Sequence, residues 1–329
     1  MSEPIHDVAH LGGVELFTPK PTQSLWYFRD LLGMEVVHQS GGSVYLRGWG
    51  DYAQAPLKLT EAGKPGVGAI AWRAASPQAL ERRVAALTRA GHAGEWVDGD
   101  FGRGPSFRFR DPEGHAMELY YEEQPYEAPP ELRSKLLNQP QKYTGRGVGV
   151  RRVDHLAVLA KDVPANRAFG QEFLGQQLRE QVRYNDGATE IGSWLSVNAI
   201  HHQIAWVLDV KGGHARMHHF SLWVDNREDV LRAADILTEN GIFLEAGPSK
   251  HNNSQAFYLY SYEPGGNRVE IYSGSFLIFA PDFKPVIWNE QTRGGGVYWG
   301  AALPPSFLDY ATPDIAKPAE HDVPVFDPH

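Results

Sequence analysis

Two histidines and a glutamate in the C-terminal half of the chain, His155, His219 and Glu270, form a set that could hold a metal ion. The sequence contains no cysteine, which excludes thiolate metal sites, disulfides and a cysteine nucleophile. Two imidazoles and a carboxylate suit the facial triad of non-haem Fe(II) oxygenases, because three protein ligands on one face leave positions open for substrate and O₂. The three residues are distant in sequence, so they can be identified as candidate ligands only by comparing the repeats that contain them.

Four segments share the order strand, helix, then three strands, at about residues 7–62, 66–122, 153–209 and 217–272. The second and fourth match best: AIAWRAASPQALERRVAALTRAG aligns with FSLWVDNREDVLRAADILTENG, and DPEGHAMELY aligns with EPGGNRVEIY. The pattern predicts an α+β fold of four βαβββ modules in two homologous halves. We expect a domain at 1–145, a second at 146–285 and a Pro- and Gly-rich tail at 286–329.

The two halves differ at the positions that matter for chemistry. The first helices of the halves align at their terminal glycines, and the second modules align at Trp72 and Trp223. This alignment pairs His155 with Gly13, His219 with Gly68, and Glu270 with Glu118. We therefore expect the metal site in the C-terminal half, and a structural or interface role for the N-terminal half.

Strand alternation predicts which of these side chains face inward. In MHHFSLWV, the set expected to pack on a helix is His218, Phe220, Leu222 and Val224. The set expected to line a cavity is Met217, His219, Ser221 and Trp223. In NRVEIYS, Val269 and Ile271 are expected to pack, so Glu270 would face the cavity.

Composition excludes several partners. Lys and Arg total 31 and Asp and Glu total 40, a net charge of −9 that disfavours binding to nucleic acid or to an anionic membrane. No apolar run approaches the roughly 20 residues needed to span a bilayer. The segment MSEPIHDVAH lacks the features of a signal peptide. We expect a cytoplasmic protein.

The run from His251 to Glu270, HNNSQAFYLYSYEPGGNRVE, resembles the fingerprint of the extradiol ring-cleavage dioxygenases of the vicinal oxygen chelate superfamily, the catechol 2,3-dioxygenase type. The strand that begins Arg216-Met-His-His is similar to the strand of the second ligand in that family. The resemblance covers nearly the whole chain and implies two domains, each a curved mixed sheet around a cavity with helices outside. It implies an Fe(II) cofactor, with Mn(II) also possible, on the same three ligands.

The resemblance also implies roles for residues around the metal. His202, in IHHQIAW, matches the acid–base histidine of the family, and His201 would face the other way. His251 and Tyr260 match a histidine and a tyrosine that support the reaction, and Trp194 matches a pocket tryptophan of the homoprotocatechuate branch. The implied reaction is O₂-dependent cleavage of a catechol next to its diol, giving a 2-hydroxymuconic semialdehyde.

The expected substrate is an uncharged catechol, such as catechol or an alkyl- or halo-catechol. The homoprotocatechuate branch binds a side-chain carboxylate with arginines, whose positions here carry Ala246, Gly295 and Gly296. A carboxylate would therefore be desolvated without a partner. Arg293 is the one candidate substitute, and the tail could cover the site. The resemblance also implies a homo-oligomer, a tetramer.

Two alternatives remain open at this point. One is a metal-dependent isomerase or epimerase of the same superfamily, which would not consume O₂. The other is a non-enzymatic protein that binds small molecules on the same modules, which would lack metal ligands.

Overall fold

The computed structural model describes residues 5–185 and 187–315, without the side chains of residues 293–295. Each predicted module has the expected order of strand, helix and three strands. The N-terminal half consists of β1 (Val8–Thr18), α1 (Pro21–Trp26), β2 (Glu35–Ser40), β3 (Ser43–Arg47), β4 (Leu57–Glu61), β5 (Gly66–Ala74), α2 (Pro77–Arg89), β6 (Gly94–Val97), β7 (Ser106–Arg110) and β8 (Ala116–Tyr120). Helix α1 continues as a π-helical segment, Tyr27–Leu31.

The C-terminal half repeats this order and adds elements from the tail. Its modules consist of β9 (Arg152–Ala160), α3 (Val163–Leu174), β10 (Gln177–Tyr184), β11 (Thr189–Ser196), β12 (Ile204–Leu208), β13 (Met217–Trp223), α4 (Arg227–Glu239), β14 (Leu244–His251), β15 (Phe257–Tyr262) and β16 (Arg268–Ser273). The tail contributes β17 (Val286–Trp288), β18 (Val297–Trp299) and α5 (Ser306–Asp309). No helix in the described ranges is long and apolar enough to cross a membrane.

Each half forms one mixed sheet, which confirms the predicted α+β class. The strand order is β2-β3-β4-β1-β5-β8-β7-β6 in the N-terminal half and β17-β10-β11-β12-β9-β13-β16-β15-β14-β18 in the C-terminal half. In both sheets the first strands of the two modules pair antiparallel at the centre. The tail strands β17 and β18 extend the second sheet at its two edges.

Local sequence signals explain where the helices begin. Ser76 accepts a hydrogen bond from the backbone N–H of Ala79, and Asn226 accepts one from that of Asp229, as N-cap side chains do. The helices then bury apolar stripes in a core that is continuous between the halves. Burial of each large aliphatic side chain contributes about 1.5–3 kcal/mol, so this shared core holds the central strands of the second sheet in place.

Two β-bulges alter the predicted alternation. In β13 the register shifts between Met217 and His219, and in β9 Asp154 is inserted between the paired residues Val153 and His155. The expected faces of Met217 and His218 were wrong as a result. Met217 is buried in the hydrophobic core, and His218 contacts its neighbour His219. A bulge places two successive side chains on one face, which strict alternation cannot anticipate.

The strand register also corrects the alignment of the repeats. Ser221 pairs with Glu270 in the second sheet, as Ala71 pairs with Glu118 in the first. This register makes Ala69, and not Gly68, the counterpart of His219. The equivalence of Trp72 and Trp223 was wrong because Trp72 is a buried core residue, whereas Trp223 is half-buried at a cavity. The N-terminal half still carries no ligand side chain at this position.

Candidate metal centre and active site

Three central strands bring His155, His219 and Glu270 together. The three side chains are buried, and their nearest ligand atoms lie within 4.8 Å of one another. Glu270 Oε2 is 2.9 Å from His155 Nε2 and 3.6 Å from His219 Nε2, and the two nitrogens are 3.3 Å apart. Ligands that bind one ion at about 2.0–2.2 Å have mutual distances of this order. The geometry fits a single metal ion.

The carboxylate of Glu270 gives a second indication that these residues fit a cation. Its Oε2 atom is buried and accepts no well-aligned hydrogen bond, although His155 Nε2 lies close by. A buried carboxylate oxygen is costly unless a cation or donor compensates it. Among the described residues, these three are the cluster of histidine and acidic side chains spaced for a metal ion.

Hydrogen bonds on the outer side of each histidine orient its Nε2 towards the centre. His155 Nδ1 is 2.7 Å from Asp154 Oδ2. His219 Nδ1 is 2.7 Å from Nδ1 of His218, whose Nε2 donates to the Phe307 carbonyl at 2.7 Å. His218 must therefore accept at Nδ1, and His219 donates to it. In both ligand histidines this pattern assigns the proton to Nδ1 and the lone pair to Nε2, as metal binding requires.

In the metal-free protein the three side chains carry different charges: His155 is positive, His219 is neutral and Glu270 is negative. Burial lowers the pKa of His155, but Asp154 and Glu270 outweigh it and raise that pKa to about 9. Burial lowers the pKa of His219 to about 3, and the positive charge of His155 acts in the same direction. Burial raises the pKa of Glu270, but the contact with the charged His155 outweighs it and holds that pKa well below its usual value. One proton, on His155, thus stands where a divalent cation would bind.

His202 lies beside this centre. Its ring centroid is 4.0 Å from that of His155, and Tyr272 packs on His155 at 4.8 Å. Burial, reinforced by the charge of His155, holds the pKa of His202 well below its usual value. His202 is therefore a neutral imidazole that can accept a proton and give it back.

His251 and Tyr260 lie on the other side of Glu270. His251 Nδ1 is 2.9 Å from the carbonyl of Gly296, so Nδ1 donates and Nε2 is left as an acceptor. That Nε2 is 3.1 Å from the Tyr260 hydroxyl and 3.4 Å from Glu270 Oε1. Burial and the Glu270 charge raise the pKa of Tyr260 well above its usual value, so it remains a phenol.

The three predicted pocket residues, Ala246, Trp194 and Arg293, lie in separate parts of the C-terminal half. Ala246 pairs with Tyr260 in the sheet and packs beside an apolar cluster of Tyr258, Tyr260 and Phe307. Trp194 is half-buried on β11, where it pairs with Ala205, and it does not line the cavity at His202. Arg293 falls in the 3₁₀ segment Glu290–Gly295, and its side chain lies outside the described residues.

A cavity of about 660 Å³ opens next to the centre. His202, Asp154 and Tyr272 are among its lining residues, together with aromatic side chains that include Trp223 and Phe257. Its size is in the range of small-molecule sites. It adjoins the centre through His202 and Asp154, which both contact His155.

Several site residues were missed by sequence reasoning. Asp154 and His218 orient the two ligand histidines, and each directly precedes its ligand in the sequence. Tyr272 packs on His155, two residues beyond Glu270. Adjacency to a ligand was the available signal, but alternation argued against using it, because neighbours on a regular strand face opposite sides.

In the N-terminal half, arginines take the corresponding space. Arg108 Nη2 lies 2.6 Å from Glu118 Oε1, and Arg103 Nη1 lies 3.9 Å from Glu118 Oε2. A Cβ atom on Gly13, the counterpart of His155, would be 3.5 Å from Arg103 Nη1. Fixed guanidinium groups thus compensate Glu118 where the second half would use a metal ion.

Comparisons with known proteins show the family of the chain. Residues 152–271 match the model of the Glyoxalase/Bleomycin resistance protein/Dioxygenase superfamily. The chain is 42% identical to a metapyrocatechase of Geobacillus stearothermophilus, over 96% of this chain and 97% of the relative. It is 37% identical to a manganese-dependent 2,3-dihydroxybiphenyl 1,2-dioxygenase of Geobacillus genomosp. 3, over 89% and 94%. A solved homoprotocatechuate 2,3-dioxygenase of Arthrobacter globiformis superposes with a TM-score of 0.82 at 26% identity, over 94% of each chain.

Proposed function

Since the chain belongs to the extradiol ring-cleaving dioxygenases of the vicinal oxygen chelate superfamily, we propose that it cleaves an uncharged catechol with O₂, using Fe(II) held by His155, His219 and Glu270. Membership in this enzyme family favours the dioxygenase over the isomerase and the binding-protein alternatives. The observation that carries the proposal is the convergence of three buried ligand atoms within 4.8 Å, with acid–base side chains on either side.

The proposed reaction adds both atoms of O₂ to the catechol and breaks the ring bond next to the diol, which gives a 2-hydroxymuconic semialdehyde. When bound, the metal would supply Lewis-acid stabilisation of the catecholate and open positions for both reactants. The protein residues then have to manage protons and exclude unsuitable substrates.

We assign the proton transfers to His202 and to the Tyr260–His251 pair. Tyr260 stays a phenol and can hold a substrate hydroxyl by a hydrogen bond, while His251 Nε2 accepts the Tyr260 proton. His202 is neutral and lines the cavity, so it can take one proton from the substrate and return it to the product.

The preference for an uncharged ring is supported by the surroundings of Ala246. Its neighbours are the rings of Tyr258, Tyr260 and Phe307, and no cationic side chain is part of this cluster in the described residues. Arg268 lies over the Phe307 ring, but it is already bound to Glu245 through Nε and Oε2 at 2.5 Å. A substrate carboxylate entering here would find apolar surface.

The direct test is O₂ consumption by protein loaded anaerobically with Fe(II), or separately with Mn(II), on catechol, 3-methylcatechol, 4-methylcatechol and homoprotocatechuate. We expect O₂ uptake and a yellow ring-opened product with the three uncharged catechols. Activity with homoprotocatechuate alone would overturn the substrate proposal. Higher turnover with Mn(II) would overturn Fe(II), and one relative is named manganese-dependent.

We further propose that the enzyme is a homo-tetramer of the cytoplasm. Several large apolar side chains on the C-terminal half are exposed, among them Phe279, Ile287 and Trp299. Contiguous apolar patches mark association surfaces, and packing of four chains would cover such side chains. Light scattering after gel filtration should give a mass of four 36.7-kDa chains, and a monomer mass would contradict the proposal.

A further inference from the structure

We propose that Glu180 and His201 are positioning residues for His202, and that they determine which ring nitrogen of His202 carries its proton. The arrangement leaves Nε2 of His202 unprotonated for the cavity. The proposal concerns the site of one proton on a neutral ring. Its effect on turnover rests on the proposed function, whereas the proton position can be measured independently.

Glu180 is the fixed end of this chain of contacts. It lies on β10 and is only 2% exposed. Trp288 Nε1, from the edge strand β17, donates to its Oε2 at 2.7 Å, and the backbone N–H of Ser254 donates to its Oε1 at 3.3 Å. These donors compensate the buried charge and fix the direction of the carboxylate.

His201 connects Glu180 to His202. Its Nε2 is 3.0 Å from Glu180 Oε1, in a contact that is electrostatic more than a well-aligned hydrogen bond. Its Nδ1 is 2.8 Å from Nδ1 of His202. A lone pair on Nε2 would face a buried carboxylate, and this repulsion is strong where the dielectric constant is low. The contact therefore places a proton of His201 on Nε2.

The position of the next proton follows from this one. In our proposal this is the one proton of His201, so its Nδ1 is an acceptor. Two unprotonated nitrogens cannot hydrogen-bond, so His202 then donates to it from Nδ1. A neutral imidazole has one N–H, so Nε2 of His202 keeps a lone pair. His202 lines the cavity, and in our proposal this lone pair takes the substrate proton.

The other histidine doublet shows the same arrangement. His218 donates from Nε2 to the Phe307 carbonyl, and its Nδ1 contacts Nδ1 of His219 at 2.7 Å. In each doublet, a buried acceptor fixes the outer histidine, and the outer histidine fixes the inner one. The doublet of His218 and His219 orients a proposed metal ligand. The doublet of His201 and His202 orients a proposed acid–base group.

The proton positions can be observed by magic-angle-spinning ¹⁵N NMR of the Zn²⁺-loaded, ¹⁵N-histidine-labelled full chain. The nitrogen chemical shift distinguishes a protonated from an unprotonated ring nitrogen. Signals of the doublet are assigned by their loss in His202→Asn and His201→Asn. We expect the proton on Nε2 of His201 and on Nδ1 of His202. The opposite pattern in the unmodified protein would overturn the proposal, whatever the variants do.

Two substitutions at His201 test the consequence. His201→Phe keeps a ring beside Phe276, whose centroid is 5.2 Å away, but removes the acceptor for His202. We expect loss of the Nδ1–H form of His202 and a fall in kcat of about 10–100-fold, with unchanged KM and metal content. His201→Asn places an amide oxygen near the Nδ1 position and should restore both the proton position and most of kcat.

Glu190→Gln is a control for the loss of a buried polar partner elsewhere on the same sheet, because Glu190 is buried but binds Arg167 and Ser193 instead of a histidine. It should leave the His202 signals and kcat unchanged. An unchanged kcat in His201→Phe would overturn the positioning role. If the unmodified enzyme consumed no O₂ with any catechol, the proposed function would fail, while the NMR spectra would still decide the proton position.

Discussion

Asp154 Oδ2 lies 2.7 Å from His155 Nδ1, and this contact both orients the imidazole and keeps it charged when no metal is bound. Burial alone would neutralise His155, but Asp154 and Glu270 raise its pKa to about 9. The proton that results occupies the face of the ring that a metal would bind. Metal binding and proton release should therefore be coupled.

Binding of a divalent metal at pH 7 should release about one proton per chain. His155 must lose its proton to bind, whereas the pKa of about 3 for His219 means that this residue is already neutral. Calorimetry of Mn²⁺ binding in buffers of different ionisation enthalpy measures the number directly. Asp154→Asn should release fewer protons and bind metal about 10–100-fold more weakly. Equal proton release by both proteins would contradict the role of Asp154.

The metal-free protein should become less stable as pH rises from about 6.5 towards 9. The pKa of His155 is raised on folding, so its stabilising effect is complete below the unfolded pKa of about 6.5 and is lost as pH passes about 9. The effect is on the order of 3 kcal/mol. Thermal unfolding with chelator should show it, and metal-loaded protein should not, because the metal has replaced the proton. A flat profile without metal would disprove the assigned charge.

The order of the elements could be predicted because hydrophobic periodicity and helix caps are local signals. Ser76 and Pro77, for example, mark the start of α2 in the sequence and in the structure. The clustering of His155, His219 and Glu270 could be predicted for another reason: the N-terminal half served as an internal reference that lacks both histidines. The predicted counterpart of His219 in the N-terminal half was wrong by one residue, because aligning Trp72 with Trp223 ignored the pairing of the strands.

The side chains that orient the ligand histidines could not be predicted, since their positions depend on bulges and long-range contacts. His218 and His219 share a face only because β13 bulges between Met217 and His219. The carbonyl that fixes His218 belongs to Phe307, 89 residues further along the chain. Side-chain alternation and local spacing contain no information about such contacts.

Glu270→Gln should abolish stoichiometric metal binding, whereas Glu118→Gln should not affect it. Glu270 supplies the anionic ligand, so its loss should weaken metal affinity by more than about 100-fold and remove activity. Glu118 occupies the matching place in the N-terminal half but is paired with Arg108. Metal analysis after dialysis would compare the two variants. One ion per chain in both would remove Glu270 from the ligand set.

Tyr260→Phe should lower kcat without changing metal content. The substitution removes the hydroxyl that is 3.1 Å from His251 Nε2 but keeps the ring that packs on Phe307. General acid–base groups of this kind contribute about 10²–10⁴-fold. Steady-state O₂ uptake together with metal analysis would test this. Tyr258→Phe is the matched control on the same strand, and an equal loss of kcat in both variants would point to packing instead of proton handling.

Ala246→Arg should shift the enzyme towards carboxylated catechols. The substitution adds a cation next to Tyr260, at the apolar cluster that we propose excludes a substrate carboxylate. A charge-assisted hydrogen bond of about 1.5–3 kcal/mol would raise kcat/KM for homoprotocatechuate relative to catechol by roughly 10–100-fold. Ala246→Met adds comparable length without charge and should lower both values together. If Ala246→Met changed the ratio as much as Ala246→Arg, the shape of the pocket would determine the preference, and the missing cation would not explain it.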